Sequence, residues 1–196
     1  MKLIGLTGTI ASGKTTVSEY LIQKGYKIID ADKISHKVTN IGNRGYKAIL
    51  KLFPQVIDAE NNIDRKKLSG IVFSDKNQLQ LLNEALHPII LDEIDNKIKE
   101  SQSYHIVFLD APLLFETGLD KKCDLVLLIA VDEQIQIQRL TKRDGIDIFT
   151  ARKIIASQMG IEKRIEKSDV VIYNNEDLVQ LKLKIDEFLL RIDKGN

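Results

Sequence analysis

Apolar residues gather in five short, nearly unbroken runs along this chain: Lys2 to Thr7, Tyr26 to Asp30, Tyr104 to Asp110, Leu125 to Val131 and Val170 to Tyr173. Each is too short for a long helix. Stretches such as IVFLD and LVLLIAV leave hardly a polar position, the pattern of strands buried on both faces in a parallel sheet covered by helices. Between the runs the period changes. Apolar residues recur at three and four spacing over Thr15 to Lys24, Lys76 to Ser101, Asp132 to Asp144 and Glu176 to Ile192, which predicts helices. In the last of these, Leu178, Leu181, Ile185, Phe188, Leu189 and Ile192 form the stripe of a covering helix. Strands alternating with helices predict an α/β fold: an open parallel sheet of about five strands, flanked by helices and joined by right-handed crossovers.

The intervals between strands are uneven. More than seventy residues separate the second run from the third, with helical segments and the turn-rich stretch FPQVIDAENNIDRKK between them, far beyond a simple crossover. Residues 33–102 therefore read as a helical insertion with its own job. The charge-dense residues 133–167, which include RLTKRDGIDIFTARK, read as a small mobile lid. Residues 1–32, 103–132 and 168–196 remain as the core of one unit, and 196 residues suit one compact core.

Composition narrows the function classes. Hydrophobic residues at 43% and charged residues at 29% are the balance of an ordinary globular protein. Lysine and arginine (29) nearly match aspartate and glutamate (28), so an anion site must be built locally, and no basic field points to nucleic acid. The single cysteine, Cys123, excludes an internal disulfide framework. No stretch approaches the roughly 18 consecutive apolar residues of a membrane span, and Gly5, Thr7, Gly8 and Thr9 interrupt the first run as no signal peptide would. The expectation is a cytoplasmic protein without a membrane partner.

Candidate chemistry begins at once. Gly8 to Thr15, GTIASGKT, satisfies G-x-x-x-x-G-K-[ST] with a strand before and a helix after. Glycines let backbone amides turn inward, and the helix N-terminus adds its dipole. Lys14 then reaches the outer phosphates, and Thr15 offers its hydroxyl to Mg²⁺. A nucleoside triphosphate with magnesium is the implied ligand. Lys14, as a loop lysine, is expected to serve catalysis more than folding.

In such sheets ligands bind beyond the carboxyl ends of the strands. There the second run ends in DAD (Asp30, Asp32) and the third in LDAPLLFE (Asp110, Glu116). Asp110 is placed either to position hydrated Mg²⁺ or to start a turn. Asp32 is either the base that takes a proton from an acceptor hydroxyl or the N-cap of a helix beginning near Lys33. His87 precedes Pro88 in NEALHPII, where a helix is expected to kink or break. Arg65 is either an anion contact or a solvated side chain. In the lid, Arg139 and Arg143 are four apart and can close together on transferring phosphates, with Arg152 and Arg164 extending the supply of charge.

The stretches IGLTGTIASGKTTV, DADKISHKV, IDRKKLSGIVF, LHPII, LDAPLLFE, RLTKRDG, SQM and KSDVVIYNN stand in this order. Together they resemble the dephospho-CoA kinase family from Lys2 to about Leu190. The resemblance implies a P-loop NTPase-type core, a helical substrate-binding insertion and a lid. It implies ATP-dependent phosphorylation of the ribose 3'-hydroxyl of dephospho-CoA, giving CoA and ADP, by a monomer or small homo-oligomer. On this resemblance Asp32 is the base. Gly8, Ala11, Ser12, Gly13, Lys14, Thr15 and Thr16 hold ATP, and Asn174 lies near its adenine. Thr15 and Asp110 manage Mg²⁺; Thr9, Arg65, His87, Pro88, Leu114, Phe115 and Glu116 belong to the acceptor side, and Arg139 and Arg143 act from the lid. Two positions depart from the family pattern, which commonly has glycine where this chain has Thr9 and often where it has Ala11.

Two other readings use the same loop. Another P-loop kinase, for a nucleoside or nucleoside monophosphate, explains loop and lid but not LHP and PLLFE. A nucleotide-dependent switch would use the insertion as a partner surface, although the N/T-K-x-D of common GTP switches is missing.

Overall fold

The computed structural model describes residues 1–194, in two compact units: residues 1–28 with 103–194, and residues 29–102. The first holds β1 (Lys2–Gly8), α1 (Lys14–Gln23), β3 (Ile106–Asp110), β4 (Leu125–Ala130), α6 (Glu133–Asp144), α7 (Ile148–Ala156), α8 (Ile161–Glu166), β5 (Val170–Tyr173) and α9 (Leu178–Lys194). The strand β2 (Lys27–Asp30) carries the chain into the second unit, which holds α2 (Ala31–Val38), α3 (Arg44–Leu52), α4 (Arg65–Ser74) and α5 (Lys76–Glu100). The second unit thus takes in Asp30 and Asp32, and residues 133–167 lie within the first. No described helix is long and apolar enough to cross a membrane.

The sheet order is β2-β3-β1-β4-β5. β1 pairs in parallel with both β3 and β4, and β4 with β5. The order reverses direction around β1, so the loop leaving β1 opens at the switch point where open α/β sheets bind ligands. Register sets its neighbours: Leu6 lies opposite Asp110, and Gly8 opposite Ile129.

Strand alternation sends Ile4, Leu6, Ile106, Phe108, Leu127, Ile129 and Ile172 to one face, where they pack with Val17 and Leu21 of α1 and Leu181, Ile185, Phe188, Leu189 and Ile192 of α9. The covering helix is therefore the predicted stripe made real. Carboxylates begin two strands: Asp124 Oδ2 accepts from Leu3 N at 2.7 Å and Asp169 Oδ2 from Val126 N at 2.7 Å. Cys123 lies against Gly5, where a Cβ would come within 3.0 Å of its sulfur. Burial, with Asp120 and Asp124 adding to it, pushes this thiol up to about 12, so it stays protonated and inert.

In the second unit Ile49, Phe53, Val56 and Val72 form a separate core, joined by Leu79, Leu82 and Leu86 from α5. Two expectations change here. The helix does not end at His87: α5 runs from Lys76 to Glu100 with Pro88 inside it. An interior proline costs about 3 kcal/mol, and packing of α2, α3 and α4 along α5 offsets it. Nor is Asp32 the N-cap of α2. Asp30 is, accepting from Lys33 N at 2.9 Å, and Asp32 stands exposed in the first turn.

Candidate active site

The phosphate loop is held at several points by the first unit. Thr9 N donates to Ile129 O at 3.1 Å, and Ser12 N closes a turn onto Thr9 O at 3.1 Å. Gly13, at φ 86°, caps α1 without a side chain, and the first helical bond runs from Val17 N to Gly13 O. The amides of Lys14, Thr15 and Thr16 therefore have no acceptor within the helix, which makes an anion site of its first turn. Ala11 is also left-handed, at φ 57°. Alternating hands along a loop turn successive amides to one side and make an anion-binding nest, but for alanine this costs about 1–2 kcal/mol.

Two hydroxyls face inward. Ser12 is 1% exposed, and neither its Oγ nor Thr9 Oγ1 has a protein partner. Buried hydroxyls without partners are costly unless a ligand satisfies them. A Cβ on Gly8 would meet Ser12 Oγ at 2.6 Å and the Ile129 carbonyl at 3.0 Å, and one on Gly13 would meet Asn174 Nδ2 at 2.6 Å on a left-handed backbone, so both positions favour glycine.

Lys14 Nζ donates to Asp110 Oδ1, and Ser18 Oγ to Asp110 Oδ2. Asp110 is buried at the end of β3 and fully engaged, and the Lys14 side chain is 17% exposed. Lys14 is thus no solvated loop lysine: it balances a buried carboxylate. Thr15 is exposed at the start of α1. Its hydroxyl and the Asp110 carboxylate are hard oxygen donors, a set that fits Mg²⁺ bound chiefly to phosphates and water.

Asn174, 8% exposed, donates Nδ2 to Ser12 O at 2.8 Å and braces the loop from beneath. Leu114 has no exposure and Phe115 has 7%, so both pack inside and support the backbone of the loop after β3. Glu116 Oε1 accepts from Arg164 Nη2 at 2.7 Å. The Arg164 side chain is fully buried, its Nε donating to Met159 O at 3.1 Å and its Nη1 to Pro112 O at 3.4 Å. Arg164 therefore does not serve as lid charge; it latches α8 to the loop after β3. Arg139 and Arg143 both lie on α6, and Arg143 is gripped in bidentate fashion by Asp144 at 2.7 and 2.9 Å. In the second unit, exposed Arg65 donates Nη2 to Thr39 Oγ1 at 2.9 Å, and His87 and Pro88 share an exposed face of α5 with Asn83 and Glu84.

Sequence reasoning missed Ser18, Gln136 and Gln158. Gln136 is 5% exposed and donates Nε2 to Ile10 O at 2.9 Å, and Gln158 Oε1 accepts from Ile10 N at 3.3 Å. Gln158 falls within the SQM stretch, which carries no role by itself, and no local motif marks Gln136; their partners lie 148 and 126 residues away.

A family model described as dephospho-CoA kinase matches residues 2–180. The chain belongs to the dephospho-CoA kinase family. A dephospho-CoA kinase of Fusobacterium nucleatum is 44% identical over 186 residues, 95% of this chain and 96% of that one. That of Lactobacillus johnsonii is 37% identical, covering 97% of this chain and 98% of its own. The solved dephospho-CoA kinase from Campylobacter jejuni superposes with a TM-score of 0.79 at 29% identity over the whole of both chains. Shikimate kinase from Bacteroides thetaiotaomicron, at a TM-score of 0.55 and 13% identity over 98% of each chain, shares the fold. The loop described above lies within the residues that the family model matches.

One consequence separates charge balance from catalysis in this kinase. Lys14→Ala leaves the Asp110 carboxylate buried with Ser18 alone, and is expected to lower stability by about 1–3 kcal/mol as well as abolish turnover. Adding Asp110→Asn removes the stranded charge, so the double variant regains most of the stability and none of the activity. Urea midpoints read the first and turnover the second; a single variant as stable as wild type would contradict the pairing.

Proposed function

We propose that this kinase transfers the γ-phosphoryl group of ATP to the ribose 3'-hydroxyl of dephospho-CoA, giving CoA and ADP, the last step of coenzyme A synthesis, in the cytoplasm. The observation that carries it is the loop itself: inward hydroxyls of Thr9 and Ser12, the open first turn of α1, and Lys14 poised on Asp110. Membership of the dephospho-CoA kinase family points to the acceptor.

In this reading the amides from Ala11 to Thr16 cradle the triphosphate, with Gly8 and Gly13 making room. Lys14 exchanges Asp110 for the outer phosphates, and Asn174 borders the adenine while bracing Ser12. Thr15 and Asp110 would hold Mg²⁺, which when bound supplies positive charge to the triphosphate. Asp32, exposed in α2 and not spent as a cap, accepts the hydroxyl proton. The bond between the γ-phosphorus and its bridging oxygen breaks, the 3'-oxygen takes its place, and ADP leaves. Arg139 and Arg143 supply charge from residues 133–167, which act as a lid and exclude water. Arg65, His87, Pro88, Thr9 and Glu116 face the acceptor, with Leu114 and Phe115 supporting Glu116 from the core.

An acceptor panel tests this. ADP release from Mg-ATP is expected with dephospho-CoA and at background level with shikimate, nucleosides, nucleoside monophosphates and CoA, which lacks the free 3'-hydroxyl. Stimulation by a nucleoside monophosphate and not by dephospho-CoA would replace the proposed acceptor.

A further inference from the structure

The crest of the phosphate loop is gripped on both sides of one residue. Ile10 donates its N–H to Gln158 Oε1 at 3.3 Å and accepts at its carbonyl from Gln136 Nε2 at 2.9 Å. Both glutamines come from residues 133–167: Gln136 from α6, 5% exposed, and Gln158 from the turn after α7. Backbone polarity dictates the parts they play, since an N–H needs an acceptor and a carbonyl needs a donor.

The next peptide explains what this grip achieves. In a planar trans peptide the carbonyl and the following N–H point in opposite directions. Turning the Ile10 carbonyl out to Gln136 therefore turns the Ala11 N–H the other way, away from α6. Ala11 adopts φ 57°, which alanine resists, so its neighbours must hold it there. Ser12, the following residue, is anchored through its own carbonyl by Asn174. The strained residue is thus pinned on both flanks.

We propose that Gln136 and Gln158 are positioning residues for the phosphoryl donor: they set the Ile10–Ala11 peptide so that the Ala11 amide faces the triphosphate, and they join residues 133–167 to the loop. The inference rests on the reading that the loop holds ATP. Gln136 does the larger share, because it sets the carbonyl whose direction fixes that amide.

Exchanging each glutamine for glutamate tests the polarity at constant size. Gln158→Glu keeps an acceptor for the Ile10 N–H; Gln136→Glu sets an acceptor against the Ile10 carbonyl. Both add a carboxylate near the loop, but only Gln136 is buried, so desolvation adds to the KM difference, and the Ala11→Gly recovery with the amide exchange reports the hydrogen bonds. The KM for ATP is expected to be about tenfold or more higher in Gln136→Glu than in Gln158→Glu, with the KM for dephospho-CoA alike in both. Ala11→Gly added to Gln136→Glu should recover part of the loss, since glycine takes φ 57° without the penalty. Amide exchange across residues 5–17, measured without nucleotide, should quicken in Gln136→Glu and stay near wild type in Gln158→Glu. Equal KM values for ATP with equal exchange would overturn the inference while leaving the donor reading intact. Wild-type protein that binds no Mg-ATP, yet shows the exchange difference, would strike the donor reading and keep the clamp.

Discussion

Replacing Glu116 with alanine is expected to cost the folded chain about 3 kcal/mol and to lower its thermal midpoint by about 10 °C. The reason lies in the partner. Arg164 carries its positive charge on a side chain with no exposure. Without Glu116 that charge keeps only the carbonyls of Met159 and Pro112. Glu116 itself borders water, 30% exposed, so solvent entering its place relieves part of the penalty and holds the cost at the lower end of the range. Arg164→Met removes the buried charge in a side chain of similar reach, and should harm the Glu116→Ala background less than it harms wild type. Paired thermal or urea melts check this. A Glu116→Ala variant that melts with wild type would show that the pair contributes nothing, as exposed pairs commonly do.

Asp32→Asn is expected to lower kcat by about 10²–10⁴-fold while leaving the KM for ATP and the melting temperature close to wild type. The asparagine keeps size and hydrogen-bonding capacity but cannot take up the acceptor proton. Its neighbour gives the contrast: Asp30→Ala strips the cap from Lys33 N and should cost about 1 kcal/mol of stability. Steady-state kinetics together with thermal melts on both variants separate the two carboxylates of the DAD sequence. Turnover retained in Asp32→Asn would remove that residue from proton transfer.

What the sequence made legible was whatever is local or periodic. The P-loop is a contiguous pattern between a strand and a helix, and α9 repeats its apolar stripe over the whole of its contact with the sheet. Strand ends also show themselves, since Asp110 closes an apolar run and lies there in the register. What stayed hidden depends on contacts far apart along the chain. Gln136 sits in a charged helix and looks solvated until the fold sets it against Ile10. Arg164 looked like spare lid charge, yet its three partners bury it. Pro88 announced a kink or break, yet α5 continues through it, and the helix expected to begin near Lys33 begins two residues earlier, at Ala31, so that Asp30 and not Asp32 caps it. Lys14 shows the middle case: its identity was plain, and its partnership with buried Asp110 was not.

The most direct measurement follows the phosphoryl group itself. With enzyme in excess over ATP labelled at the γ-phosphate, and dephospho-CoA present, a single turnover should move the label into CoA, as a phosphomonoester at the ribose 3'-position seen by phosphorus NMR and mass. Label released as inorganic phosphate, or carried to another position or acceptor, would contradict the account.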